Sequence, residues 1–432
     1  MTVDTAIARA RADQPGLHEE LVAIRRELHA HPEVGLNLPK TQATVLDELA
    51  DLDLEITVGE QLSSVVAVLR GTKPVDPALP RRSVLLRADM DALPVVEKTG
   101  LPFSSQNGNM HACGHDLHVA GLLGAAKLLS AARSEIAGDV ILMFQPGEEG
   151  YDGAKIMLDE GVLAASGNYP DAVYGVHVLA DLPTGLVMTR PGPYMAAYSQ
   201  LNVTVHGRGG HGSRPHDTLD PIQVAAEIIG SLQTYVTRRF NVFNPVILTV
   251  GEFHAGTATN VVPDMAEFRA GVRYFTPAIE TRLASELPEL IQGIAEAHGL
   301  SAQVSVIPLL PAAINDPAEA ELMISTATAL FGADRIEVAQ DPRTGSEDFA
   351  WVMREAPGGY AHFGAGTRGL EPSEWAPNHS PRAIFNDDVL IDQAVFLASM
   401  AINRLDIPAP AERSAHDRMP VRPARPRAVT EG

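Results

Sequence analysis

One cysteine, Cys113, stands among 432 residues, so no disulfide can form within the chain. An unpaired thiol suits a reducing compartment, and the cytoplasm is the expected location. Residues 1–14 are polar and Ala-rich and lack a basic stretch followed by an apolar one, which predicts no signal peptide. No apolar run reaches the roughly 18 residues that a membrane span requires, so no membrane association is expected. Positive charge is scarce: 33 Lys and Arg against 54 Asp and Glu leave a net charge of −21. Phosphate recognition needs a basic surface, which argues against nucleic acid as a partner. The acidic balance points to no substrate, because acidic surfaces commonly serve solubility. Hydrophobic residues make up 45% of the chain and charged residues 20%, the balance of an ordinary globular protein long enough for two or three domains.

The order of apolar segments predicts an α/β protein with an insertion. Leu17, Leu21, Ile24 and Leu28 recur at helical spacing over residues 16–31, and Pro32 stops that helix. A second helix is expected from Thr41 to Leu52. Residues 65–69, 83–88, 139–144 and 172–178 read as short buried strands, and an Ala/Leu/Gly-rich helix is expected from Ala120 to Ala132. Strands alternating with helices imply a largely parallel sheet, whose sites lie outside the carboxyl ends of the strands. From about residue 195 the pattern changes. Alternating strands at 201–205, 246–252, 266–274 and 302–307, with helices at 221–238 and 277–298, follow the β-α-β-β-α-β order of a ferredoxin-like unit. The α/β pattern then resumes with helices at 317–330 and 387–405 and a strand at 361–363. The expected division is a catalytic domain over 16–194 and 309–407, an inserted domain over 195–308, and a disordered tail rich in Pro, Arg and Ala over 408–432.

Chemistry concentrates in Met110-His111-Ala112-Cys113-Gly114-His115-Asp116 and in Glu148-Glu149. A thiolate and an imidazole two positions apart, followed by paired carboxylates, are donor types that divalent transition metals prefer. Alone, Cys-x-His reads more often as a buried core thiol beside surface histidines. His177 at the end of an apolar strand and His379 in a Pro-flanked polar loop offer further nitrogens. Ligands drawn from four separated loops could hold two ions, and Cys113 is then the favoured bridge. Successive side chains on an extended backbone diverge, so Glu148 and Glu149 divide their work. One division makes Glu149 a ligand and leaves Glu148 to take a proton from metal-activated water; the alternative is two solvated glutamates. Asp89 and Asp91 could ligate, cap a helix, or accept the second N–H of a ligating histidine, and the last is favoured.

His211, in the glycine-rich run Gly207-Arg208-Gly209-Gly210-His211-Gly212, is a candidate donor to a developing oxyanion or the tip of an exposed loop. Arg273 suits a substrate carboxylate or a strand-face ion pair equally well. Asn260 lies in the same inserted domain. His29, His31, His118, His206, His216 and His362 are expected to be structural or at the surface.

Arg-Ala-Asp-Met-Asp-Ala-Leu-Pro, Met-His-Ala-Cys-Gly-His-Asp, Gln-Pro-Gly-Glu-Glu-Gly, Gly-His-Gly-Ser-Arg-Pro-His and Thr-Gly-Ser-Glu-Asp-Phe occur in that order. Together they resemble the M20 metallopeptidase family over roughly residues 16–407. The nearest branch is the amidohydrolase subfamily of hippurate hydrolase, N-acyl-amino-acid amidohydrolases and plant auxin-conjugate hydrolases. The resemblance implies a three-layer, zinc-peptidase-like α/β catalytic domain interrupted by a ferredoxin-like lid that commonly mediates dimerisation. It implies Cys113, His115, Glu149, His177 and His379 as ligands of two divalent ions (Mn, Zn, Co or Ni), and Glu148 as general base. His211 matches a lid histidine that reaches the partner subunit's site in dimeric relatives, and Asn260 and Arg273 match substrate-contacting lid residues of other branches. Leu36-Asn37-Leu38-Pro39 departs from a more acidic family segment, and the tail after Ile407 has no usable counterpart.

The expected activity is therefore metal-dependent cleavage of N-acyl-amino acids by a homodimer. A dipeptidase with the same chemistry is the alternative. A silent metal- or conjugate-binding protein is a third reading, opposed by Glu148, since a pure binding site needs no spare base.

Overall fold

Four strands lie parallel at the centre of an eight-stranded sheet: Asp139–Gln145, Ser83–Asp89, Ala172–Leu179 and Gly358–Gly364. The computed structural model describes residues 4–367, 369 and 371–407. The expected disordered tail, 408–432, lies outside the described residues. Every residue of the four central strands is buried, as continuous apolar runs require when both faces of a sheet are covered.

Alternate residues of one strand serve opposite cores. Leu86 and Leu142 join a core with helices Leu17–Ala30, His115–Ala131 and Val389–Asp406. Leu85 and Ile141 join a second core with helices Gly153–Asp159 and Ala350–Glu355. The result is three layers, helices on both faces of the sheet.

The sheet is more mixed than expected. Glu55–Val58 and Val65–Arg70 form an antiparallel pair on one flank, because the connection between them is too short for a parallel crossover. Val187–Thr189 and Ile336–Val338 extend the other flank. At three residues each, they carry too little periodicity to be read from sequence. An unexpected helix, Asp4–Ala12, buries Ile7 and Ala10 in the main core, its Ala content favouring the helix. The helix expected from Thr41 begins at Pro39, which occupies its first turn. The helix expected from Ala120 begins at His115, so His115 and Asp116 form its first turn instead of a preceding loop.

The second unit has its own antiparallel sheet, in the order Ile247–Ala255, Met265–Tyr274, Ala197–His206, Ser301–Leu310. Helices Pro221–Arg239 and Pro277–Ala297 complete the β-α-β-β-α-β order. Inward residues such as Leu201, Val203 and Phe268 pack with Ile228 and Leu287 in a separate core. Asp220 starts the first helix by accepting the Ile222 N–H at 2.9 Å, with Pro221 next. Among the described residues no helix is long and apolar enough to cross a membrane.

Candidate metal centre

One edge of the large sheet collects the reactive side chains. Asp89 ends its strand, Glu148 and Glu149 follow Gln145 after the Pro146-Gly147 turn, and His177 lies inside Ala172–Leu179 rather than beyond it. Cys113 and His115 flank Gly114, whose φ is +87°. A Cβ on Gly114 would sit 2.4 Å from Val178 Cγ2, so only glycine lets this loop press against the neighbouring strand. The His379 N–H donates to Ala112 O at 2.8 Å. Asn378 Nδ2 donates to Cys113 O at 3.1 Å and Val178 O at 2.9 Å. These bonds bring the last loop onto the first.

The Cys113 sulfur lies 3.3 Å from His177 Nε2 and 3.2 Å from His379 Nε2. Glu149 Oε1 is 3.3 Å from His379 Nε2 and 4.0 Å from His115 Nε2. The donor atoms of Cys113, His115 and His177 lie within 4.8 Å of one another, as do those of Cys113, Glu149 and His379. The sulfur belongs to both triads. His177 Nδ1–H donates to Val178 O at 2.7 Å, which leaves the Nε2 lone pair facing the sulfur. Both ring nitrogens of His115, and Glu149 Oε1, are buried without a hydrogen-bond partner. Unpaired buried donors and acceptors are costly, and a divalent cation among these atoms would satisfy them. A thiolate, three imidazoles and a carboxylate suit such an ion.

A triad of Asp89, His115 and His118 lies equally close, but His118 has no free lone pair. Its Nε2 accepts the Val178 N–H at 2.8 Å while its Nδ1–H donates to Asp89 Oδ1 at 2.5 Å. Asp89 Oδ2 is 3.5 Å from His115 Nε2, and Asp91 Oδ1 is 3.6 Å from His115 Nδ1. Asp91 accepts the N–H groups of Glu148 and Glu149 at 3.0 and 3.1 Å. Neither aspartate caps a helix.

Sequence reasoning missed the hub beneath these residues. The buried Arg87 donates to Asp89 Oδ2 at 2.8 Å, Glu347 Oε1 at 2.8 Å, Asp348 Oδ1 at 3.1 Å and Gln145 Oε1 at 2.9 Å. An arginine inside an apolar strand was the available signal, together with Glu347-Asp348 in a motif to which no role was attached.

Burial, reinforced by the charges of Glu347, Glu149 and Asp348, holds the Glu148 carboxyl well above the usual range. Burial alone would depress His115, but Asp89 and Asp91 outweigh it and raise this imidazole well above its ordinary value. The neighbouring Cys113 sulfur and then the Glu149 carboxylate push His379 up to about 10. Burial draws His177 well below its ordinary value. The site thus attracts positive charge at His115 and His379, and metal binding to such groups displaces their protons.

A cavity of about 950 Å³ opens over the centre, lined by Cys113, Glu148, Glu149, His177 and His379 and, from the second unit, by Tyr198 and Arg273. Arg273 Nη1 donates to Thr344 O and Ser346 Oγ, both at 2.9 Å, and its guanidinium lies 4.8 Å from the centre of the Tyr198 ring. His362, expected to be structural, is buried and lines the cavity wall. His211 and Asn260 do not line this cavity. They sit together on a small exposed ribbon in which Gly210–His211 pairs with Val261–Val262. His211 Nδ1 accepts the Ser213 N–H at 3.1 Å, so in the neutral ring Nε2 carries the proton.

Residues 85–403 match the family model described as peptidase family M20/M25/M40. The chain is 34% identical over 401 residues to thermostable carboxypeptidase 1 of Saccharolobus solfataricus, covering 92% of this chain and 98% of that protein. It is 35% identical over 389 residues to N-acetylcysteine deacetylase of Bacillus subtilis, covering 89% and 97%. Among solved structures, the Bacillus subtilis YXEP protein, a dinuclear metal binding peptidase from the M20 family, superposes with a TM-score of 0.78 at 30% identity, covering 91% and 99%.

Proposed function

The chain belongs to peptidase family M20/M25/M40 and is a hydrolase of amide bonds, and from that premise we propose that it cleaves the amide of N-acyl-amino acids, with Glu148 as general base. The observation that carries this reading is the placement of Glu148. It shares a cavity with Cys113, Glu149, His177 and His379 and lies within 4.8 Å of His115 and Glu149 donor atoms, beside the two triads that meet at the Cys113 sulfur and outside both of them. Those triads support a pair of divalent ions held by Cys113, His115, Glu149, His177 and His379. Such ions supply Lewis acidity and a lowered water pKa when bound.

The residues of the chain do the rest. Glu148 takes the proton of a water and returns it to the leaving amide nitrogen. The raised proton affinity conferred by burial and by Glu347 and Asp348 suits both transfers. Asp91 grips the backbone of Glu148 and Glu149 and keeps base and ligand in register. Arg273 is a proposed substrate contact through the donors not committed to Thr344 and Ser346, and Asn260, on the same exposed ribbon as His211, would contact substrate only in the cavity of a second copy. His211 offers an Nε2–H to the developing oxyanion. Because it lies off its own chain's cavity, it would act on the site of a second copy across a dimer of lid domains.

The test is release of amino acid from hippurate and other N-acyl-amino acids with Mn, Zn, Co or Ni supplied, and loss of that activity on chelation. Glu148→Gln is expected to lower kcat about 100-fold or more with metal content unchanged; unaltered turnover would remove Glu148 as the base. The name of the carboxypeptidase relative keeps a peptidase in view, and a panel of dipeptides assayed beside hippurate separates the two. His211→Ala should remain dimeric on gel filtration and lose turnover.

A further inference from the structure

Residues 340–346 form a loop along one wall of the cavity. The loop is pinned at Arg343, whose N–H donates to Tyr194 O at 2.8 Å and whose carbonyl accepts the Ala196 N–H at 3.1 Å. Arg273 holds the same loop at Thr344 and Ser346. The Arg343 side chain is therefore carried on fixed backbone, and it lines the cavity that holds Glu148, Cys113 and His379.

Arg343 is half-buried, and among the described residues no carboxylate pairs with it. Arg70 pairs with Glu55 and Asp139, Arg82 with Asp171 and Arg335 with Asp392, while the partly buried Arg190 has no carboxylate among the described residues but donates to Pro191 O and Gln340 O. Glu337 and Asp341 line the cavity too, yet neither forms an ion pair with Arg343. A guanidinium that has lost part of its hydration without gaining an anion is an unfavourable arrangement. Its charge reaches the buried wall, adding to burial in holding His362 well below the ordinary histidine value. A planar fork of donors at the edge of a hydrolytic cavity matches a carboxylate.

We propose that Arg343 is the anion anchor of this cavity, receiving the free carboxylate of the substrate, and that Arg273 positions the loop that presents it. This rests on the reading of the site as an amide hydrolase. It assigns recognition of the free carboxylate, which N-acyl-amino acids and dipeptides both carry on the departing amine, to one side chain.

The experiment compares each substrate as free acid and as primary amide: hippurate against hippuric amide, and a dipeptide against its C-terminal amide. Wild type and Arg343→Gln, both metal-loaded, are assayed on all four. Arg343→Gln is expected to reduce the acid-over-amide preference in kcat/KM by roughly 10- to 100-fold, the range for losing a charge-assisted hydrogen bond. The loss should appear chiefly in KM for the acids. Arg343→Lys, which keeps the charge, should retain part of the preference and shows that the fold tolerates change here. An equal loss on acid and amide, or an unchanged ratio, overturns the anchor. Wild-type turnover confined to dipeptides would overturn the N-acyl reading instead, and the dipeptide pair then reports on Arg343 by the same ratio.

Discussion

The carboxylate of Asp91 accepts the backbone N–H of Glu149 at 3.1 Å, so a side chain just past one strand sets the course of the chain carrying a proposed ligand. The other Asp91 oxygen takes the Glu148 N–H at 3.0 Å. Removing that acceptor frees both glutamates to turn away. Asp91→Ala is expected to weaken metal binding about 10- to 100-fold, the usual effect of losing a group that orients ligands. Titration of metal into chelator-treated protein reads this directly. An affinity equal to wild type would show that the Pro146-Gly147 turn alone is enough to aim Glu149.

Among the described residues Arg87 is the one cation that touches all three of Asp89, Glu347 and Asp348. All four side chains are buried. Arg87→Met removes the partner and leaves three carboxyl groups in a low-dielectric site. A cost of about 3–5 kcal/mol is expected in urea unfolding, as for other buried pairs broken from one side. A loss under about 1 kcal/mol would mean that the carboxyls simply take up protons.

Gly114 joins two proposed ligands in a left-handed conformation. Gly114→Ala adds about 1–2 kcal/mol of backbone strain and a Cβ 2.4 Å from Val178 Cγ2. The loop must move, and Cys113 and His115 with it. Both the melting temperature and the amount of metal retained after dialysis should fall. A lower melting temperature with full metal retention would show that the ligands are placed by His379 and Asn378 rather than by this turn.

The parts of this architecture readable from sequence were those with a period. The four central strands announce themselves as unbroken apolar runs, and the second sheet as alternation, because one buries two faces and the other buries one. The gathering of Cys113, Glu149, His177 and His379 was expected from donor chemistry and from the family resemblance, since Cys113 and His379 sit in loops and His177 lies inside a strand. Arg87 could not be assigned, since its partners Glu347 and Asp348 arrive from a distant segment. The same holds for Arg343, whose significance lies in having no carboxylate partner among the described residues, which only three dimensions reveal. His118, expected to be structural or at the surface, is buried, and its ring ties Asp89 to the strand of His177. Nothing local distinguishes a histidine with both nitrogens engaged from one left free.

His29 carries the pH dependence that can be separated from the metal centre. Its Nδ1 lies 2.7 Å from Asp116 Oδ2 and its Nε2 3.2 Å from Glu97 Oε1, with all three side chains buried. Burial alone would depress the imidazole, but Asp116 and Glu97 outweigh it and raise it above the ordinary 6.5. A group whose value rises on folding stabilises fully below its unfolded value, and the benefit fades as pH climbs through the folded one. Asp116 is shifted the other way, by Arg25 and His29 against burial, and remains ionised throughout the neutral range. The stability difference between wild type and His29→Gln should therefore be largest below the ordinary histidine value of 6.5 and shrink as pH rises above it. Urea unfolding of both proteins on either side of that value measures it, and a difference that widens with pH would mean that His29 is buried neutral, with its Nδ1–H donating to Asp116 at every pH.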